Sequence, residues 1–353
     1  MKTAFSISIL IIVTLSQTYP QGFDFSGMKV FWEIMETLEK DSMPSEDTWN
    51  ELFNTPGYVT GNEHEFTHDY FKKFYTLAYM PSKQTELAKE LQKSSFYTPY
   101  LNHIANIRKQ KEDIKKKQKE LEKSSEVFTR ALERVTHYLP EGITEKYPEP
   151  TIAFMIFGPD GRGYETILVD LVYFLQNKEQ AVDFIAHEMH HYYLDKESVM
   201  RAGEAELLWV IEQIYAEGLA DQIDKKVNYF GDGGPGRSEK AQRFRELVYD
   251  SPGVIQKMDS LLNDMILSPE RYKTNALKIS GLVPQSGHPT GYFMANTLLE
   301  NEGPESLVED FGNPFAFFRR YNNMAHNSRG KYPVFSDKAI QLIGELEERY
   351  GRD

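Results

Sequence analysis

The pentapeptide HEMHH at residues 187–191 places three histidines and a glutamate inside a stretch of helical periodicity that is mostly apolar. Apolar residues lead into it at 181, 182 and 184–186 and follow it at 192–194. One buried histidine is usually a satisfied core residue, but that explanation is weak for three histidines beside a glutamate. Burying these groups is costly unless they find polar partners or a metal ion. Any fold of this chain therefore has to bring such partners to this helix.

The pentapeptide fits the pattern His-Glu-x-x-His. On a helix, His187 and His191 differ by about 40° in azimuth and lie roughly 6 Å apart along the axis, so one metal ion can meet both imidazoles. Glu188 then lies beside the ion, where it can act as a general base on water. His187 and His190 could also share a metal. We prefer His191, because only the pair four residues apart completes the pattern.

A second match, HEFTH at residues 64–68, has a different context. It follows the turn-like stretch TPGYVTGNE, which predicts that His64 lies in the first turn of its helix. Little apolar sequence precedes it, and Glu86 and Glu90 are the only nearby candidates for a third ligand. We interpret His64 and His68 as surface histidines that do not bind a metal.

A third ligand for HEMHH is offered by the apolar segment LLWVIEQIYAEGLADQID, which contains Glu217 and Asp221. A set of two histidines and a glutamate leaves the fourth position of a zinc ion open, as in catalytic sites. Asp221 follows one turn later on the same face and can accept the free N–H of a ligating imidazole. A solvated charge is the alternative for Glu217. The chain has no cysteine, so a metal must bind through His, Asp or Glu.

The ordered pair HEMHH and EGLAD resembles the gluzincin metallopeptidases, of which thermolysin is the best known, over roughly residues 150–300. The N-terminal region and the segment HPTGYFMA also look like a bacterial family of zinc-dependent peptidases whose substrates are undefined. The resemblance implies one Zn²⁺ per chain. It assigns His187, His191 and Glu217 as ligands, Glu188 as the general base and Asp221 as the group that orients a histidine.

The same resemblance implies a donor for the oxyanion, usually Tyr or His. His288 and Tyr292 are the best candidates, with helix capping and packing as the alternative roles. Gluzincins also place an edge strand along the substrate, for which TIAFMIF (151–157) or YETILVD (164–170) are candidates. The GxMEN-type segment of the gluzincin aminopeptidases is absent ahead of HEMHH, which argues against an exopeptidase.

The wider pattern predicts a mainly α protein with a small β-sheet (α+β). Helical periodicity extends from residue 26 to about 147, and over 101–139 it predicts one long helix or a broken pair of helices. Residues 151–157 and 164–170 flank GPDGRG and predict a hairpin or near-hairpin. We expect a helical N-terminal region at 23–147 and a zincin-like metallopeptidase domain at 148–353. The apolar seam of the long helical segment comprises Ile107, Ile114, Leu121, Phe128 and Val135.

Residues 1–22 carry one lysine and then an apolar run, which is typical of a signal peptide. The run is too short to span a membrane, and no later stretch reaches 18 apolar residues. We therefore expect a secreted or periplasmic protein without stable membrane insertion. A formal net charge of −13 argues against binding to nucleic acid.

These observations favour a secreted zinc metallopeptidase that hydrolyses a peptide or protein substrate. Two alternatives stay open at this point: a catalytically silent zinc-binding scaffold or partner-binding protein, and a zinc hydrolase of a non-peptide bond. The presence of Glu188 favours an enzyme, because a structural site has no need of a base.

Overall fold

The computed structural model describes residues 22–200, 205–231 and 238–351. The predicted signal peptide at 1–22 lies outside the described residues apart from Gly22. Within the described part of the chain, no helix is both long enough and apolar enough to cross a membrane.

The described residues form many helices and one small sheet, which confirms the predicted mainly α class. The strands are β1 (Phe23–Asp24), β2 (Thr151–Met155), β3 (Gly161–Gly163) and β4 (Thr166–Asp170). The helices of the N-terminal region are α1 (Ser26–Glu39), α2 (Glu46–Phe53), α3 (Pro56–His64), α4 (His68–Tyr79), α5 (Gln84–Leu91), α6 (Thr98–Ile107), α7 (Lys111–Leu121), α8 (Glu126–Thr136) and α9 (Ile143–Lys146). The later helices are α10 (Leu171–Gln176), α11 (Ala181–Glu197), α12 (Ala205–Phe230), α13 (Glu239–Leu267), α14 (Tyr272–Leu282), α15 (His288–Glu302), α16 (Pro314–Asn327) and α17 (Asp337–Tyr350).

The sheet has the strand order β1-β2-β4-β3. β2 and β4 run parallel, in a register that pairs Thr151 with Thr166 and Met155 with Asp170. The predicted hairpin between these two runs is therefore wrong. The predicted connection itself contains β3, which pairs antiparallel with β4 and carries the chain back, so that β4 starts from the same end as β2. Both β2 and β4 are almost wholly buried, as is usual for parallel strands.

The charged segment 101–139 also differs from its prediction, because it folds as the three helices α6, α7 and α8. All five residues of the predicted seam are buried. The charged face is only partly solvated: Lys111 lies 2.9 Å from Glu39 and Lys115 lies 2.6 Å from Glu36, both on α1. The seam residues are therefore buried by three successive helices rather than by one rod or a pair.

The core consists of two main hydrophobic clusters. The first contains the sheet, the N-terminal helices, α10 and most of the buried residues of α11, and it reaches Ile223. The second is built on α12 to α17. Because β1 pairs with β2, the first cluster crosses residue 147. The division into regions 23–147 and 148–353 stays a prediction.

Asp170 joins the sheet to three neighbouring segments. Its side chain is fully buried and accepts hydrogen bonds from the N–H groups of Phe157 and Gly158, and from those of Val172 and Tyr173 at the start of α10. His103 Nε2 on α6 lies 2.9 Å from Asp170 Oδ1. Burial opposes protonation of this imidazole, but the Asp170 carboxylate outweighs burial and raises the pKa of His103.

We expect His103→Gln to reduce stability more in acid than in alkali. Since the folded pKa is raised, the protonated imidazole stabilises the fold below about pH 6.5, its usual unfolded pKa, and this contribution is lost as pH rises through the folded pKa. Urea unfolding at about pH 5.5 and about pH 8.5 should show a larger gap between wild type and variant at the lower pH. An equal or reversed gap would contradict this, and the exposed His137 provides the control variant His137→Gln.

Candidate metal centre

The structure places HEMHH in the middle of α11. His187, Glu188 and His190 are buried, and His191 is partly exposed. The pentapeptide is therefore held within the core rather than on a surface helix. Each of its polar groups needs a partner inside the protein.

The donor atoms of His187, His191 and Glu217 form a compact triangle. His187 Nε2 lies 3.1 Å from His191 Nε2. Glu217 Oε2 lies 3.5 Å from His187 Nε2 and 3.3 Å from His191 Nε2. Ligands about 2.0–2.1 Å from a tetrahedral zinc ion are separated by roughly 3.3 Å, so the triangle has the dimensions that one zinc ion requires.

The surroundings of this triangle favour positive charge. Glu217 Oε2 is buried and, among the described residues, accepts no hydrogen bond. Burial opposes ionisation of Glu217, but the imidazoles of His288 and His191 lower its pKa well below the usual range. Burial likewise opposes protonation of His187, but Asp224 raises its pKa. A metal cation would supply the positive charge that the carboxylates of Glu217 and Asp224 attract.

A close approach of α12 and α15 brings His288 to the triangle. A Cβ atom on Gly218 would lie 2.5 Å from the backbone carbonyl of Gly291, so the helices can touch only because both positions are glycine. His288, the first residue of α15, consequently has its Nδ1 3.1 Å from Glu217 Oε2 and 3.0 Å from Asp221 Oδ1. The structure thus brings His288 together with the predicted ligands.

Two aspartates of α12 lie behind the histidines. His187 Nδ1 is 3.1 Å from Asp224 Oδ1 and 3.7 Å from Asp221 Oδ1. Asp224, which the sequence analysis missed, is therefore the nearer partner of the ligand histidine, whereas Asp221 contacts His288. The spacing of Glu217, Asp221 and Asp224 at i, i+4 and i+7 on one helix face is the signal that would have found it. Lys225 Nζ lies 2.5 Å from Asp224 Oδ2 and balances the buried charge.

Tyr292 is not brought to the triangle. Its ring stacks on Phe230 with centroids 4.8 Å apart and meets Phe244 edge to face. These apolar rings, supplied by α12 and α13, cover the tyrosine, and it is not among the residues that line the adjacent cavity. The spacing within α15 was insufficient to predict this, because the covering residues come from other helices.

His190 has different contacts from the other two histidines of the pentapeptide. Its ring packs edge to face on Phe311, with centroids 5.5 Å apart. Burial lowers its pKa well below the usual range. Among the described residues, His190 belongs to no group of three potential metal ligands.

The first pentapeptide, HEFTH, does not lie on one helix. His64 is the last residue of α3 and His68 is the first residue of α4, so the prediction that His64 lies in the first helical turn is wrong. Pro56 begins α3 at its N-terminus, and Thr67 caps α4 by accepting from the N–H of Tyr70. Both histidines are exposed, and neither joins a group of three potential ligands among the described residues.

A cavity of about 960 Å³ opens beside the triangle. This volume is in the range of sites that hold sizeable ligands. His187, His191, Glu217 and His288 all line it. Its other walls carry many aromatic side chains: Phe96, Tyr100, Tyr164, Tyr173, Phe184, Trp209, Tyr229 and Phe244.

Strand β3 forms an edge of the sheet along this cavity. The prediction that residues 151–157 or 164–170 provide the edge is therefore wrong, since β2 and β4 are internal. A Cβ atom on Gly161 would lie 2.4 Å from the ring of Phe184, and one on Gly163 would lie 2.6 Å from Cβ of His191. The glycines allow the strand to run directly against α11.

Glu188 lies beside this strand and interacts electrostatically with His187 and His191. Its carboxylate oxygens are 3.1 and 3.2 Å from the positions that a Cβ on Gly161 and on Gly163 would take. Burial raises the pKa of Glu188, although His187 and His191 oppose the shift. A carboxylate that is buried, lines a cavity and has a raised pKa is suited to proton transfer.

We expect the purified protein to contain about one zinc ion per chain. His187→Ala, His191→Ala and Glu217→Ala should each lose it, because each removes one corner of the triangle. Metal analysis after gel filtration measures the loss. His64→Ala is the control and should retain zinc; loss of zinc in this variant but not in His191→Ala would contradict the assignment.

Asp224→Asn should weaken zinc binding by about 10- to 100-fold, the usual effect of losing a carboxylate that orients a ligating histidine. Asp221→Asn should weaken it less, because Asp221 lies farther from His187 Nδ1. Competition with a chelator compares the two affinities. A stronger effect at Asp221 would show that it, rather than Asp224, orients the histidine.

Comparison with known proteins finds a family but no individual relative. Residues 49–330, more than half of the chain, match the family DUF5700, whose description is "Putative zinc dependent peptidase". No curated protein and no solved structure matches the chain. The matched range includes the triangle, the edge strand, His288 and most of the N-terminal helices. The chain therefore belongs to the family DUF5700.

Proposed function

We propose that this protein is a secreted zinc metallopeptidase of the gluzincin type that hydrolyses peptide bonds in peptide or protein substrates. His187, His191 and Glu217 hold the metal, and Glu188 is the general base. Membership of a zinc-dependent peptidase family supports the reaction class. The lysine and the following apolar run within residues 1–22, which are typical of a signal peptide, support secretion.

The observation that carries this proposal is the position of Glu188. Its carboxylate lies beside both the histidine pair and the glycines of β3, at the wall of a large cavity. A site that served only to stabilise the fold would need neither a buried base nor an open approach. This arrangement favours the enzyme over the silent scaffold.

The residues of the chain can divide the work of hydrolysis. A zinc ion bound at the triangle would make water more acidic and would polarise the scissile carbonyl. Glu188 takes a proton from the attacking water and returns it to the leaving amine. Asp221 holds Nδ1 of His288, which leaves Nε2 of His288 to donate to the oxyanion.

The edge strand can position the substrate. Among the described residues, no strand pairs with the side of β3 opposite β4, and an extended peptide can be added there as a strand. At Gly161 the peptide would replace the hydrogen bonds that the backbone makes with the side chains of Asp160 and Arg162. A peptide bound in this way runs past Glu188, because β3 itself does. Recognition through the backbone favours a peptide over a substrate of another chemical class.

Glu188→Gln should retain zinc and lose at least about a thousandfold in kcat/KM on a peptide library, because the amide cannot accept the proton. Metal analysis and mass spectrometry of the cleaved library measure the two effects. Glu212→Gln, another glutamate of the cavity wall, is the matched control and should keep most of its activity. Unchanged turnover in Glu188→Gln would refute the mechanism, and zinc-loaded wild type without peptide cleavage would favour the scaffold or a non-peptide bond.

A further inference from the structure

We propose that the HEFTH segment of the N-terminal region positions β3, the strand along which the proposed peptide substrate binds. Glu65 holds Arg162 of β3, and His64 holds Tyr164 and Glu165, which follow the strand. This inference rests on the proposed function, because it assigns to these residues the placement of the peptide along β3. It gives the second His-Glu-x-x-His match a role that does not involve a metal.

Strand β3 needs support from outside the sheet. It has only three residues, of which Gly161 and Gly163 add no side-chain packing. Among the described residues, it pairs on one side only, with β4. Replacing either glycine would create a clash with α11, so the strand cannot gain stiffness from a larger residue there. Arg162 is the single side chain by which β3 can be held.

Arg162 is held on several sides. Its Nε lies 2.8 Å from Glu65 Oε2 and its Nη2 lies 3.4 Å from Glu65 Oε1, so the contact involves both carboxylate oxygens. Its Nη1 lies 2.6 Å from Asp160 Oδ2 and donates to the carbonyl of Gly161, while Nη2 donates to the Tyr100 hydroxyl. The guanidinium therefore ties the strand to its own turn and to two segments of the N-terminal region.

His64 provides a second attachment directly after β3. Its ring stacks on Tyr164 with centroids 4.1 Å apart and an interplanar angle of 7°. Its Nε2 lies 3.0 Å from Glu165 Oε2. His64 and Glu65, which are adjacent in HEFTH, thus contact Arg162, Tyr164 and Glu165. Together with Gly163, these three residues form the continuous segment 162–165 at the end of β3.

The attachment point is itself fixed to the sheet. α3 packs on β2 and β4 through two glycines: a Cβ on Gly57 would lie 2.9 Å from Cβ of Ala153, and Gly61 faces Leu168. His64, the last residue of this helix, and Glu65, which follows it, are thereby placed beside the sheet that contains β4. Because β3 pairs with β4, the contacts of His64 and Glu65 with residues 162–165 define the position of the unpaired edge of β3.

These contacts lie where they can affect substrate. His64, Glu65, Arg162 and Tyr164 all line the cavity that contains the metal triangle. The Glu65–Arg162 pair is about three-quarters buried, with side-chain exposures of 25% and 23%. By contrast, the Glu46–Lys72 ion pair of the same region is more exposed and its residues are not in the cavity wall.

The first test compares Glu65→Ala and Glu65→Gln with Glu46→Ala in the zinc-loaded, full-length protein. Glu65→Ala should raise KM for a peptide substrate by about tenfold while zinc content and kcat stay within about twofold, because a displaced strand weakens substrate binding without removing the base. Glu65→Gln should show a smaller rise, since the amide oxygen can still accept from Arg162. Glu46→Ala should match wild type.

A double-mutant cycle tests the pairing. In the Arg162→Ala background, Glu65→Ala should raise KM little further, because Glu65 acts through Arg162 and that side chain is already absent. Fully additive effects would overturn the assignment of Glu65 to Arg162. Equal KM changes in Glu65→Ala and Glu46→Ala would show a general loss of stability and would also overturn it.

Hydrogen exchange separates failure of this inference from failure of the proposed function. If wild type cleaves no peptide, the proposed peptidase is refuted, but the amides of residues 158–166 still report on the strand. Glu65→Ala should speed their exchange by about tenfold and leave those of residues 186–194 unchanged. Unchanged exchange at 158–166 would overturn the positioning role whatever the activity.

Discussion

The structure depends on the burial of ionisable side chains on two adjacent helices. His187 and Glu188 on α11 and Asp221 and Asp224 on α12 are each less than a tenth exposed. Their loss of hydration is compensated by one another, by His288 and Lys225 and, in the proposed peptidase, by a cation at the triangle. This requirement restricts the relative position of α11 and α12 more than apolar contact would. Hydrogen bonds and ion pairs depend on the direction and distance between atoms, whereas the hydrophobic effect is not directional.

The same requirement extends to the third helix of the site. α15 reaches α12 through the glycine contact of Gly218 with Gly291, and His288 then meets Asp221 and Glu217. Asp221 and Asp224 consequently have different partners, although both lie on the face of α12 that meets the histidines. In the proposed peptidase, Asp224 orients the ligand His187 and Asp221 orients the oxyanion donor His288.

The N-terminal helices contribute to the site as well as to the core. Their hydrophobic residues share one cluster with the sheet, and residues of α3, α6 and the connections beside them enter the cavity wall. In the proposed peptidase, they support the substrate strand on the side opposite α11. The cleft is thus formed between segments that are far apart in the sequence.

The sequence by itself determined the helical class and predicted that His187 and His191 share a site, because helix geometry converts a spacing of four residues into a shared face. Glu217 was predicted as the third ligand from the order of the motifs HEMHH and EGLAD. The same geometry would have included Asp224 had the next turn been considered. The tertiary structure alone decided that His288 reaches the triangle while Tyr292 is covered, that β3 is the edge strand, and that HEFTH lies against it. These outcomes depend on contacts between distant segments, and local periodicity carries no information about which distant residues will meet.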